Sequence, residues 1–148
     1  MTPARLIETL ASEIGKAVAD LKMPTEYHRA TDLRKVNIFA QYLPKEALEG
    51  EYFPLILVEL LGLTDNVKTG STATVGITIG TFAKEENAWL DAFCLLEAVR
   101  RVIMTRRTIG NKFRLIDEVE YRTPEQQPAP FFFISGEAHY TQYLPQEE

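Results

Sequence analysis

Ser71-Thr72-Ala73-Thr74-Val75-Gly76-Ile77-Thr78-Ile79-Gly80 alternates strictly, with Ala73, Val75, Ile77 and Ile79 on one side and hydroxyls or glycines on the other. A repeat of two is the mark of a strand with one buried face. A few residues later the period changes. Trp89, Ala92, Leu96, Val99 and Ile103 recur at steps of three and four, and Leu95 and Val102 widen the stripe. That pattern predicts a long amphipathic helix lying across a sheet. The Ser71–Met104 block contains no catalytic motif, so the best-organised part of the chain is built for packing.

The flanking sequence extends the same plan. Leu6, Leu10, Ile14, Val18 and Leu21 form one stripe of a helix over 3–22, capped by Thr2 before Pro3 and stopped by Pro24. Strands are expected over 35–43 and 54–61, the second apolar enough to be covered on both faces. Between them, 44–52 reads as a polar loop or helical turn around Lys45 and Glu46. Residues 62–70 read as a turn-rich connector that could form a mobile finger. Asn87 is the expected cap of the long helix. Glu85, Glu86 and Asp91 lie at its positive end and Arg100, Arg101, Arg106 and Arg107 at its negative end, with Glu97–Arg101 as an i, i+4 pair. A strand over 113–121 puts Phe113, Leu115, Val119 and Tyr121 on one face, interrupted by Asp117, and a stiff proline-rich loop covers 123–130. The last strand, 131–144, sets Phe132, Ile134, Ala138, Tyr140 and Leu144 against Ser135, Glu137, His139 and Thr141. The expected fold is a single α+β domain over residues 1–148, with a mostly antiparallel sheet of about five strands and two helices on one face.

Composition narrows the function. A length of 148 residues gives room for one adequate core. Acidic residues outnumber basic ones by 21 to 16, for a net charge of −5, which argues against a protein whose main task is gripping phosphates. The only cysteine, Cys94, excludes an internal disulfide; it fits a reducing cytoplasm and reads as a small packed thiol. Met1–Glu13 has no apolar run of secretory length, and Phe53–Leu63 is too short to cross a bilayer, so a soluble protein is expected.

Chemistry is sparsely marked. His28 and His139 lie far apart without ligand spacing, so neither a metal nor another cofactor is expected. Gly76 and Gly80 fall inside a strand, where they indicate a bulge or a close approach rather than a phosphate cradle. Asp117, Glu118 and Glu120 read as a solvated edge that resists pairing. A small-molecule or hydrolytic domain would have to draw on His139, Glu137 and Glu59.

Two features point towards association. Phe131-Phe132-Phe133 cannot all enter one core, because neighbouring strand residues face opposite ways. Tyr42, Tyr52, Phe53, Tyr140 and Tyr143 place further aromatics near loops and ends, a composition favoured at protein contacts.

The run Tyr52-Phe53-Pro54-Leu55-Ile56-Leu57-Val58, then Gly70-Ser71-Thr72-Ala73-Thr74-Val75 through Ile79-Gly80-Thr81-Phe82, resembles the tail-terminator (tail-completion) proteins of tailed bacteriophages. The Trp89–Ile103 helix, and Pro124-Glu125-Gln126-Gln127-Pro128 before an aromatic strand, are similar to prophage-encoded members of that group. The likeness extends over most of residues 5–144. The resemblance implies a non-enzymatic α+β subunit of a virion, assembled in the bacterial cytoplasm and placed at the head-proximal end of the tail. It implies a self-associated ring, typically a hexamer, that caps the tail tube, stops its polymerisation and offers a surface to the head connector. DNA would only pass through the channel, and no membrane is involved. Phe131, Phe132 and Phe133 are then the candidate subunit contact. Thr64, Asp65, Asn66, Val67 and Lys68, with Lys45 and Glu46, are the candidate partner contacts. A neck or head-completion protein is the alternative from the same assembly.

Overall fold

The computed structural model describes residues 2–25, 32–44, 52–82, 88–125 and 131–142. Helix α1 spans Pro3–Val18, with Thr2 accepting the Arg5 amide at its start. It is followed by β1 (Lys22–Thr25), β2 (Asp32–Lys35), β3 (Asn37–Ala40), β4 (Leu55–Asn66) and β5 (Gly70–Phe82). Then come α2 (Ala88–Thr105), β6 (Thr108–Ile109), β7 (Phe113–Arg122) and β8 (Phe131–Gln142). Strands β1 and β2 form a small antiparallel pair, and the rest form one six-stranded sheet in the order β3-β4-β5-β8-β7-β6. Its β3–β4 pairing is parallel and the other pairings are antiparallel, so the sheet is mixed.

Both helices pack on one face. Leu6, Leu10, Ile14 and Val18 of α1 and Ala92, Leu95, Val99 and Ile103 of α2 meet Ile56, Val58, Ala73, Val75, Ile77, Ile79, Ile134, Ala138 and Tyr140. These sheet residues fall on alternate positions, so the period of two read in β5 and β8 is the period of the core. A second, smaller cluster of Phe53, Leu55 and Phe82 occupies the opposite, outer face.

Several elements depart from the sequence reading. Helix α1 stops at Val18 rather than 22, and the chain enters β1, which contains Pro24. The strand expected over 35–43 divides into β2 and β3 and ends at Ala40, because Gln41 turns the backbone with φ 71°. The expected connector over 62–70 is largely strand, and only Val67–Thr69 remain as a turn. In β7 the interruption at Asp117 is a bulge, with φ 58° and a shift in register between Ile116 and Glu120. That bulge returns Val119 and Tyr121 to the core face shared by Phe113 and Leu115.

The inner face of α2 is centred one position earlier than expected. Ala88 is buried where Trp89 was placed, and Trp89 is half exposed. Cys94 likewise faces solvent rather than packing. Glu97 pairs with Arg100 at 2.6 Å in place of Arg101, and Arg106 reaches Glu13 of α1. Lys45, Glu46, His28, Glu85, Glu86, Asn87, Tyr143 and Leu144 lie outside the described residues.

Candidate assembly surfaces

The finger is the end of the β4–β5 hairpin. Asn66 fixes its turn by accepting the amides of Lys68 (2.8 Å) and Thr69 (3.1 Å), and Gly70 closes it with φ 89°. Asp65 accepts the Ser71 hydroxyl at 2.5 Å. Thr64, Asp65, Asn66, Val67 and Lys68 are therefore displayed together on a braced turn, all exposed, with Val67 at 97%. Leu61 and Leu63 just behind the tip are also about half exposed. Val67 is thus a large apolar side chain held out on an otherwise polar turn.

The finger also carries an open edge. Strand β3 covers β4 only from Leu55 to Val58. One step further, the Gln41 side chain imitates a strand: its Oε1 accepts the Leu60 amide (2.9 Å) and its Nε2 donates to the Leu60 carbonyl (3.4 Å). Beyond Leu60 no described strand pairs with this side of β4. At the far edge of the sheet β6 covers Phe113 and Arg114, and the Arg107 carbonyl accepts the Leu115 amide. The remainder of that edge holds the Asp117 bulge, Glu118 and Glu120, features that discourage strand addition. Among the described residues one edge is guarded and the other is open.

The three phenylalanines divide between the faces as their order demands. Phe131 and Phe133 lie on the outer face, where Phe53 meets them at centroid distances of 4.9 and 5.8 Å and Phe82 meets Phe131 at 5.0 Å. Phe132 lies on the helix face, 6.2 Å from Phe93. Much of their surface is thus covered from within the chain, and each is half-buried. The apolar surface that stays open lies next to them on α2. Trp89, Leu90 and Phe93 are 46, 50 and 40% exposed, and Trp89 stands edge-on to Phe93 at 6.0 Å. Sequence reading assigned Trp89 to the core, so it missed this patch. The available signal was that Leu90 and Phe93 fall off any single inward stripe.

Titratable groups follow burial. Desolvation raises the Asp91 carboxyl, which has no cation partner among the described residues. Burial pushes the Tyr121 phenol up to about 12, with the Arg100 guanidinium pulling the other way. Burial raises Tyr140 further, aided by the neighbouring Tyr121. Neither phenol oxygen has a hydrogen-bond partner among the described residues.

On the outer face, His139 Nδ1 lies 3.3 Å from the Thr74 hydroxyl, an ordinary cross-strand contact. Glu59 and Glu137 flank Gly76 in register, and Glu120 follows Glu137 on β7. Two surface depressions, of about 390 and 180 Å³, are lined by Arg5, Glu8, Thr9 and Ser12 and by Thr108, Asn111, Lys112, Arg114 and Thr141. Neither gathers His139, Glu137 and Glu59. Among the described residues no group of His, Cys, Asp and Glu has metal-ligand geometry, and no helix is long and apolar enough to cross a membrane.

No family model and no curated protein matches this chain.

Proposed function

We propose that the chain is a structural subunit that closes into a ring on the head-proximal end of a phage tail tube, halts tube growth and presents a joining surface to the head connector. The observation that carries this reading is the contrast between the two sheet edges. Among the described residues β4 keeps an open edge and an exposed Val67 at its hairpin tip, while the β7 edge is bulged and acidic. A monomer gains nothing from such a finger, whereas an assembling subunit needs an exposed contact of defined shape. The family resemblance supplies the identity of the assembly. The Glu59, Glu137 and Glu120 row would suit a surface past which DNA slides without adhering.

The test is to polymerise the tube protein of the same phage or prophage with and without this chain, and to measure tube lengths by electron microscopy. Short tubes bearing one ring-shaped cap are expected. Unchanged tube lengths and no end-bound density would refute the capping role. Capture of the connector without any effect on tubes would instead assign a head-completion role.

A further inference from the structure

Strand β4 is longer than its cover. Residues 62–66 are held extended by pairing with residues 70–74 of β5, and on their other side no described strand meets them. The stretch has none of the residues that blunt an edge. Gly62-Leu63-Thr64-Asp65-Asn66 contains no proline and no lysine, and its one carboxylate, Asp65, accepts the Ser71 hydroxyl. A row of outward backbone amides and carbonyls is left without a strand among the described residues.

The same chain holds strands that lack a sheet. β1 and β2 form a ribbon of four residues each, outside the six-stranded sheet and without extensive contact with any other described element. A two-stranded ribbon is marginal in water and gains stability from a third strand. Its two outer sides differ. Proline fits an edge strand when its missing N–H faces away from the ladder, so Pro24 blunts the outer side of β1. Its opposite number in the register is Leu33, whose N–H therefore also points outward, on the free side of β2. β2 (Asp32-Leu33-Arg34-Lys35) brings two cations and one acid, and residues 62–66 bring one acid and no cation, so the charges are complementary.

Within one copy the ribbon does not reach the open stretch. Lys35 lies two residues before the Asn37–Leu55 pair and Gly62 seven residues after it, about 30 Å apart at strand rise. β3 and the Gln41 side chain occupy the edge between them. We infer that β2 of one copy adds to residues 62–66 of β4 in the next copy, so that the ribbon extends the neighbour's sheet. One end of a sheet edge meets the other end of the next copy's edge. That is a head-to-tail contact, which closes into a ring when the rotation between copies allows it. The assignment rests on the self-association part of the reading above and is independent of the tube. It puts the subunit contact on backbone edges rather than on Phe131, Phe132 and Phe133, whose rings are largely met from within the chain.

Hydrogen exchange of the full chain, below and above the concentration at which it assembles, tests this pairing. The amides of residues 32–35 and 62–66 should slow together on assembly, roughly tenfold or more, while residues 116–120 on the guarded β7 edge stay unchanged. Leu33→Pro removes an outward donor of β2 and leaves the ladder with β1 intact. Sedimentation velocity should show its association weakened roughly tenfold, with thermal melting of the diluted chain unchanged. Rings whose two segments exchange as fast as in the monomer, or a Leu33→Pro chain that assembles like wild type, would overturn this contact while leaving the ring itself standing. Protection of residues 62–66 that appears only with added tube protein would give the open edge to a partner's strand instead of a second copy. A wild-type chain that is monomeric at every concentration would remove the contact and the ring together.

Discussion

Gly80 and Gly76 occupy equivalent outer-face positions of β5, yet a methyl group would meet different neighbours at each. A Cβ at Gly80 would lie 2.7 Å from Phe53 Cε1 and 3.1 Å from Phe133 Cε1, both within the packed aromatic cluster. At Gly76 it would lie 2.8 Å from Leu61 Cδ1, the far end of a half-exposed side chain that can swing aside. Gly80→Ala should therefore cost about 1–3 kcal/mol, as overpacked cores do, and Gly76→Ala should be close to neutral. Urea unfolding of the two variants measures the difference; equal losses would mean that the rings yield as easily as Leu61. The close approach was legible from glycines inside an alternating strand. Which side chain makes it was not, because Phe53 and Leu61 arrive from another strand.

The buried phenols give the residue scale its pH dependence. Between an ordinary phenol value near 10 and the Tyr121 value of about 12, the native chain keeps a proton that the unfolded chain releases. The unfolded state then binds fewer protons, so stability falls as pH rises through that window. Tyr121→Phe should reduce the loss between pH 9 and 11. At pH 7 it should be nearly silent, since its hydroxyl has no hydrogen-bond partner among the described residues to leave behind. Urea midpoints at both pH values check this, and a large loss at pH 7 would reveal a partner for the hydroxyl.

At the scale of elements, the strongest periodicities were the most faithful. β5 and β8 alternate in sequence and in burial, and the mixed core of β7 was legible in Phe113, Leu115, Val119 and Tyr121 once Asp117 was treated as an interruption. The helix α2 was legible in existence but not in phase. Its apolar residues exceed what one face can bury, so the sequence holds two competing stripes and only packing against β5 and β8 selects the one led by Ala88. The parallel β3–β4 pair had no local signal, since pairing direction is decided between strands distant in sequence. The finger was read as loop because Thr64, Asp65 and Asn66 are turn formers. In the fold they extend β4, and Asn66 alone builds the turn. Asn66→Ala removes two side-chain hydrogen bonds worth about 1 kcal/mol each. Hydrogen exchange should quicken at the tip amides and stay slow in Val75–Ile79. Unchanged exchange at the tip would mean that the hairpin is held by something other than this turn.

At the scale of the whole molecule, the sequence foretold an α+β chain with two helices on one face and aromatic surface left over, and the architecture has that form. The position of the leftover surface was not foretold, because it depends on which aromatics find partners inside the chain: Phe131 and Phe133 meet Phe53, and Trp89 meets Phe93 yet stays half exposed. The account as a whole rests on one assertion, that copies of this chain join through surfaces a single copy leaves open. Light scattering coupled to size-exclusion chromatography, run on the purified chain over a wide concentration range, measures this most directly. The account predicts a discrete closed species, at six times the 16.8 kDa subunit mass if the resemblance also fixes ring size. A single 16.8 kDa species at every concentration, unchanged by added tube protein, would contradict it.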